Sequence, residues 1–289
     1  MTQQTVVVTG TASGLGRATV AEFAQRGWNV VATVRREQDL GVHNDLPSVK
    51  TLLLEVTDED ATRAFADRAL RQFGRVDVLV NNAGHYQMGP LEDTSMDQVR
   101  HQFEANVFGL IALTKSFLPV LRSQRSGVVI NIASLTAEQG YPYSSVYAAS
   151  KAAVATLSEA LNLELAEFGV KVRAVLPGQH ATRIFTKIDA AEISAEYQPG
   201  VAAFFAKNSP TGSDPAVTAA VVYQAAVDAD PATVRYYSGP DAEFIPLGKQ
   251  ILGPQNYWRQ FRQSILGTPG SLWAGLAAKP GDTPVEMEL

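Results

Sequence analysis

The sequence predicts a single-domain α/β protein built on a doubly wound parallel sheet, with an extension at its C-terminal end. Three observations predict it. Short β-branched runs alternate with longer amphipathic stretches through roughly the first two thirds of the chain. The runs are bounded by Gly and Asn and each is followed by a helix, the pattern of a parallel sheet covered on both faces. Hydrophobic residues make up 46% and charged residues 18%, enough apolar material for one continuous core.

The elements follow in order. Residues 5–9 read as a strand and 14–26 as a helix, with Ala18, Ala21, Phe23 and Ala24 available to pack. Residues 29–34 and 50–56 are the second and third strands, 61–73 a helix and 76–80 a fourth strand. A long helix is expected over 96–121, where Val99, Phe103, Val107, Leu110 and Phe117 recur at helical spacing. Residues 128–132 form a fifth strand, 146–168 a second long helix and 171–176 a sixth strand. Beyond Pro177, residues 179–215 mix aromatics, Pro and Gly without a clean period, as a cover over a site would. A helix over 216–227, a strand over 235–238 and a helix over 248–266 follow, then a Pro/Gly-rich tail without regular structure from Gly267.

Composition excludes several classes. The chain has 289 residues with Lys+Arg 24 against Asp+Glu 29, a net charge of −5, so a nucleic-acid partner is not expected. No apolar run approaches the ~18–20 residues needed to cross a bilayer, so no membrane partner is expected. Residues 1–8 lack the basic region and apolar stretch of a leader. With Cys 0, disulfides and thiolate metal sites are excluded, and a cytoplasmic address is the expectation. The four histidines show no ligand spacing, so the expected metal is none. Ser134 lacks the G-x-S-x-G context of a serine hydrolase.

The first strand–helix junction, Thr9-Gly10-Thr11-Ala12-Ser13-Gly14-Leu15-Gly16, lets the backbone turn tightly and approach a pyrophosphate, while the helix N-terminus offers free N–H groups to the anion. Its spacing is G-x-x-x-G-x-G, so a plain structural turn stays open at this point. At the end of the second strand, where an acidic residue would bind the ribose hydroxyls of NAD, stand Arg35 and Arg36. A guanidinium suits a 2′-phosphate in charge and in its forked donors, so NADP(H) is preferred over NAD(H). Tyr147 and Lys151 are four residues apart and share a helix face. An ammonium beside a phenol lowers the phenol pKa, which makes Tyr147 an acid/base near neutral pH.

Taken jointly, Gly10-x-x-x-Gly14-x-Gly16, Asn81-Asn82-Ala83-Gly84, Asn106, Ser134, Tyr147-x-x-x-Lys151 and Pro177-Gly178 resemble the short-chain dehydrogenase/reductase family over about residues 5–240. The resemblance implies a Rossmann-type fold with a substrate-covering C-terminal extension. It implies Ser134, Tyr147, Lys151 and Asn106 as catalytic residues, Asn106 through a proton-relaying water. Cofactor contacts are implied for Gly10, Ser13, Gly14, Leu15, Gly16, Arg35, Asn82, Ala83, Gly84, Tyr147, Lys151, Pro177, Gly178 and Thr182. Two departures stand out. Glu55-Val56 replaces the Asp-Val pair that faces the adenine in the family, and Ser13 stands where some NADP-dependent members carry a basic residue. Substrate contacts are expected from Ser134, Tyr141, Tyr147 and Gln179, with Gln139, Tyr143 and Phe185 either bordering the pocket or packing the cover, and the expected substrate is a small-molecule carbonyl or alcohol of apolar, bulky character. The segment 235–242 resembles the 17β-hydroxysteroid dehydrogenase-like members. The resemblance implies a homodimer or homotetramer through the two long helices. Two alternatives stand beside the oxidoreductase reading: a non-catalytic NADP-binding sensor or scaffold, and an epimerase or dehydratase that retains its nucleotide.

Overall fold

A computed structural model describes residues 3–179, 189–207, 211–266 and 283–284. Seven strands form one sheet: β1 (Thr5–Val8), β2 (Asn29–Val34), β3 (Val49–Leu53), β4 (Val78–Asn81), β5 (Gly127–Ile132), β6 (Val170–Pro177) and β7 (Arg235–Ser238). Their spatial order is β7-β6-β5-β4-β1-β2-β3 and every pairing is parallel. Parallel strands need crossovers, and ten helices are described, most of which supply them: α1 (Gly14–Gln25), α2 (Glu59–Arg63), α3 (Phe65–Phe73), α4 (Met96–Phe103), α5 (Gly109–Gln124), α6 (Ser145–Glu164), α7 (Gln198–Lys207), α8 (Pro215–Val227), α9 (Pro240–Leu252) and α10 (Pro254–Leu266).

The valine runs are explained by burial on both faces. Val6, Val8, Val30 and Ile130 point to the layer of α1 and α8, where Val20, Phe23 and Val222 meet them. Val7, Val31, Leu79 and Val129 point the other way, against Phe65 and Phe117 of α3 and α5. On that second face α6 adds Val154 over Ala174 and Leu176. The helical run from Met96 to Gln124 is long and apolar enough to cross a membrane by length and composition, but half of its apolar stretch is buried, with Leu113, Phe117 and Leu121 fully enclosed in this core.

The structure corrects several boundaries. The third strand ends at Leu53, so Glu55 and Val56 lie in the loop beyond it. The helix expected over 61–73 is two helices, and the one over 96–121 is broken by a π-helical turn, Glu104–Phe108. Gly109, at the end of that turn, has room only for hydrogen, because an added Cβ would stand 2.6 Å from the Val56 carbonyl oxygen. The helix expected over 248–266 is instead α9 and α10, separated where Gly253 adopts φ +73° ahead of Pro254. The cover segment holds a helix, α7, and a two-residue strand, Asp189–Ala190, paired with Gln87–Met88. Thr182, Phe185 and the tail beyond Leu266, apart from 283–284, lie outside the described residues.

Candidate active site

The strand order reverses between β1 and β4, and the loops leaving their C-terminal ends diverge to opposite sides of the sheet. Such a reversal leaves a crevice at the strand ends. Here it is a cleft of about 460 Å³ lined by Gly10, Ser13, Gly14, Leu15 and Gly16 on one side and by Asn82, Ala83, Gly84, Ser134, Tyr147 and Lys151 on the other. The glycine-rich turn is tied to the β4 loop. Asn82 Nδ2 donates to the carbonyl oxygens of Thr9 (2.7 Å) and Gly10 (3.2 Å), and Thr9 Oγ1 accepts from the Asn82 and Ala83 amides. Gly10 has φ +70°, and an added Cβ would lie 2.9 Å from Ala83 Cα. A Cβ on Gly16 would overlap the Gly10 carbonyl oxygen. The first turn of α1 carries no acidic residue and its N-cap Ser13 makes no side-chain cap bond, so the amides there remain available to an anion. These residues therefore fit a pyrophosphate-containing cofactor.

At the far end of the cleft the two arginines part company. Arg36 is held by Asp39 through bonds of 2.8 and 3.2 Å, whereas Arg35 is exposed on the cleft wall without a hydrogen bond or ion pair to the described residues. Glu55 turns its Oε1 back onto Thr57, accepting from its amide at 3.2 Å and its hydroxyl at 3.1 Å. Glu55, Val56 and Thr57 still line the cleft beside Arg35.

The other end holds the chemistry. Ser134 follows β5 and caps a 3-10 turn, its Oγ accepting the Thr136 amide at 3.2 Å. Tyr147 and Lys151 lie on the first turns of α6, both buried, with Nζ 5.8 Å from the phenol ring centre and donating to the Ile132 carbonyl at 2.8 Å. Burial raises the Tyr147 pKa well above its ordinary value, opposed by a hydrogen bond with Ser134. Burial pushes Lys151 down to about 8. The expectation that the lysine makes the phenol acidic is thus corrected. Both groups are desolvated, and at this separation the cost of an ionised phenol in the apolar wall outweighs the attraction. Asn106 sits in the π-helical turn, a device that re-aims a side chain. Its Oδ1 accepts the His85 amide at 2.7 Å, and its Nδ2 donates to the His85 carbonyl at 3.0 Å and to Ser150 Oγ at 3.3 Å. Asn106 Oδ1 and Lys151 Nζ both crowd Gly84, standing 3.3 and 3.7 Å from where its Cβ would be.

Residues 4–193 match the short chain dehydrogenase family. The protein belongs to that family. It is an oxidoreductase of the class that acts on CH–OH and C=O groups. It is 32% identical over 281 residues to the uncharacterized oxidoreductase YusZ of Bacillus subtilis, covering 92% of this chain and 99% of that one. Among solved structures it resembles a short-chain dehydrogenase from Streptomyces avermitilis with TM-score 0.79 and 33% identity, over 91% of this chain and 98% of the other. It also resembles ElxO with NADP bound, with TM-score 0.71 and 26% identity over 81% and 96% of the two chains.

The remaining residues of this short-chain dehydrogenase sort by geometry. Pro177, Gly178, Gln179 and Tyr141 line the cleft. The Gly178 amide donates to the Ser238 carbonyl and the Gln179 amide to Asp241 Oδ2, both at 2.7 Å, so β7 and α9 hold this rim. Tyr141 Oη accepts from Gln139 Nε2 at 2.8 Å, and Gln139 Oε1 accepts from Tyr257 Oη at 2.6 Å. Gln139 therefore binds the C-terminal extension to the rim and does not itself line the cleft, and Tyr143 leans on Phe204 of α7. Tyr86, His101 and Phe204 are among the cleft residues that the sequence pattern does not single out. Tyr86 packs against Tyr147 with ring centres 4.4 Å apart and the rings inclined by 59°, and it shares a 2.7 Å hydrogen bond with Ser144. His101 and Phe204 complete the wall. Tyr86 stands two positions past the Asn-Asn-Ala-Gly run, which is the signal that could have marked it.

Proposed function

We propose that this protein interconverts a ketone or aldehyde and the corresponding alcohol with NADP(H), with Tyr147 as its acid/base. Bound in the cleft, the nicotinamide cofactor would supply or accept the hydride. The observation that carries the reading is the convergence of Ser134, Tyr147 and Lys151 at one end of a cleft whose other end is the glycine cradle. A buried phenol held in its neutral form is a proton donor at neutral pH, suited to the carbonyl oxygen as it gains negative charge. The Ser134 hydroxyl offers a second donor to that oxygen. Lys151, with its pKa at about 8, is near enough to neutrality to return a proton to the phenolate. Asn106 acts as a positioning residue by clamping the His85 backbone beside Gly84 and Lys151.

Preference for NADP(H) is supported by the unpaired Arg35 on the cleft wall and by the resemblance to ElxO with NADP bound. Gly10, Ser13, Gly14, Leu15 and Gly16 would hold the pyrophosphate side. Val56, Asn82, Ala83 and Gly84 would hold the adenosine side, and Pro177, Gly178 and Thr182 the nicotinamide end. Glu55, turned onto Thr57, would meet the adenine through its other oxygen. Tyr141 and Gln179, with Tyr86 and Phe204, would border an apolar substrate. The chain acts as one catalytic domain in this reading, with 179–215 as cover and 248–289 as extension. Packing of Tyr257 and Phe261 with Leu135, Ala242 and Ile245 supports that last assignment. A homodimer or homotetramer and a cytoplasmic address belong to the same proposal.

The test is NADPH oxidation followed by absorbance against a panel of apolar ketones and aldehydes, for the wild type and Tyr147→Phe. Turnover by the wild type and a loss of about 10³-fold or more in kcat, with NADPH affinity kept within about threefold, is the expected result. Equal turnover by the variant would refute the acid/base role.

A further inference from the structure

Three metal-ligating side chains meet on the wall of the cleft from separate parts of the chain. His85 follows β4, His101 lies on α4, and Asp189 begins the short strand paired with Gln87–Met88. His85 Nε2 is 3.3 Å from Asp189 Oδ2, and His101 Nδ1 is 3.9 Å from the same oxygen. All three ligand atoms lie within 4.8 Å of one another, the one such group among the described residues. The imidazole rings are 4.3 Å apart, tilted by 39°.

We propose that His85, His101 and Asp189 bind one divalent transition-metal ion of the zinc or cobalt type. The inference is independent of the proposed function. Two imidazoles and a carboxylate are the donor set such ions prefer, whereas Mg²⁺ and Ca²⁺ favour oxygen alone. With metal–ligand bonds of about 2 Å in a tetrahedron, neighbouring ligand atoms stand about 3.3 Å apart. Of the three pairs, His85–Asp189 already has that spacing, His101–Asp189 stands at 3.9 Å, and His85–His101 lies within 4.8 Å, so rotation of the exposed His101 side chain would close the set. A proton serves the cluster less well. It can bridge His85 to Asp189, but it leaves His101 Nδ1 beyond hydrogen-bond reach of the carboxylate, and two charged imidazoles at this ring separation would repel. A dication engages all three.

Supporting contacts orient the Asp189 carboxylate and fix the His85 backbone. Gln98 Nε2 donates to Asp189 Oδ1 at 2.9 Å, turning Oδ2 toward the imidazoles. The Asp189 amide donates to the Tyr86 carbonyl at 3.0 Å. The backbone of His85 is held by Asn106 on its N–H and by Asn106 and Gln102 on its carbonyl, the latter at 2.9 Å. Both histidines also line the cleft, so the ion would sit at its wall.

The experiment uses full-length protein stripped with chelator and titrated with CoCl₂, reading the visible d–d absorption of the ion, then displaced with ZnCl₂. Saturation at one equivalent is expected, with affinity falling about tenfold or more in His101→Ala, Asp189→Asn and the supporting variant Gln98→Ala. His101 has a side chain 56% exposed, so its truncation leaves the fold intact, and circular dichroism checks this for each variant. Absence of a saturable band, or a band unchanged in His101→Ala and Asp189→Asn, would overturn the assignment. Neither outcome depends on turnover, so this inference and the oxidoreductase mechanism can fail separately.

Discussion

Replacing Lys151 with methionine tests whether the proposed catalytic group is held at a cost to the fold. Burial lowers the lysine pKa from 10.5 to about 8. A group that binds its proton less tightly when folded destabilises the fold wherever the unfolded chain keeps that proton, here below about pH 10.5. The difference of about 2.5 pH units corresponds to about 3 kcal/mol at pH 7, where both states are protonated. It falls to about 1 kcal/mol at pH 10 and vanishes above the unfolded pKa. Methionine fills similar volume without charge, but forfeits the 2.8 Å hydrogen bond to the Ile132 carbonyl, a loss of about 1 kcal/mol. Lys151→Met should therefore be more stable than the wild type by about 2 kcal/mol at pH 7, raising Tm by about 4–6 °C. The advantage should shrink to near zero by pH 10, while turnover is abolished. Urea denaturation of both proteins at pH 7, 8, 9 and 10 reads this directly. A stability difference that is constant across the series, or a variant less stable at pH 7, would falsify the claim that burial rather than pairing sets the lysine's pKa.

Other substitutions probe separate parts of the site. Arg35→Ala should weaken NADPH binding by about tenfold or more, the equivalent of a charge-assisted bond, and leave NADH binding within about twofold. Fluorescence titration checks this, and equal losses for both nucleotides would remove the phosphate assignment. Gly16→Ala places a methyl group against the Gly10 carbonyl and 2.6 Å from Asn82 Nδ2, so it should cost about 1–3 kcal/mol and weaken both nucleotides alike. Thermal unfolding with and without NADPH measures both effects, and an unshifted Tm would show that the turn is looser than its contacts indicate. Asn106→Leu keeps the branched heavy-atom shape but strips the His85 amide and carbonyl and the Ser150 hydroxyl of a partner, so a loss of about 2–4 kcal/mol is expected by denaturant titration. A cost under about 1 kcal/mol would mean that water replaces the carboxamide.

Local chemistry was legible in the chain. Strand runs such as 29–34 and 128–132 are readable because burial on both faces demands continuous apolar residues, and the structure returns them within a residue. The glycine-rich turn and the Tyr147–Lys151 pair are equally local, since each lies within a few residues of sequence. Boundaries failed where a tertiary contact overruled the helical period. The π-helical turn at Glu104–Phe108 ends where Gly109 presses against Val56, a contact across 53 positions that no window of sequence contains. The apolar run 50–56 carries the expected third strand through Glu55, yet pairing with β2 ends at Leu53.

What the amino-acid order determined alone is therefore the succession of strands and helices and the residue types placed at their ends, because periodicity and turn chemistry act over short spans. Only the folded chain decided the electrostatics. Whether Tyr147 is an acidic phenol or a neutral donor depends on how completely the cleft wall removes water from it, a sum over residues from several elements. The same holds for His85 and Asp189, 104 positions apart in the chain and 3.3 Å apart in space. Desolvation and three-dimensional proximity have no period, so neither leaves a trace in the sequence.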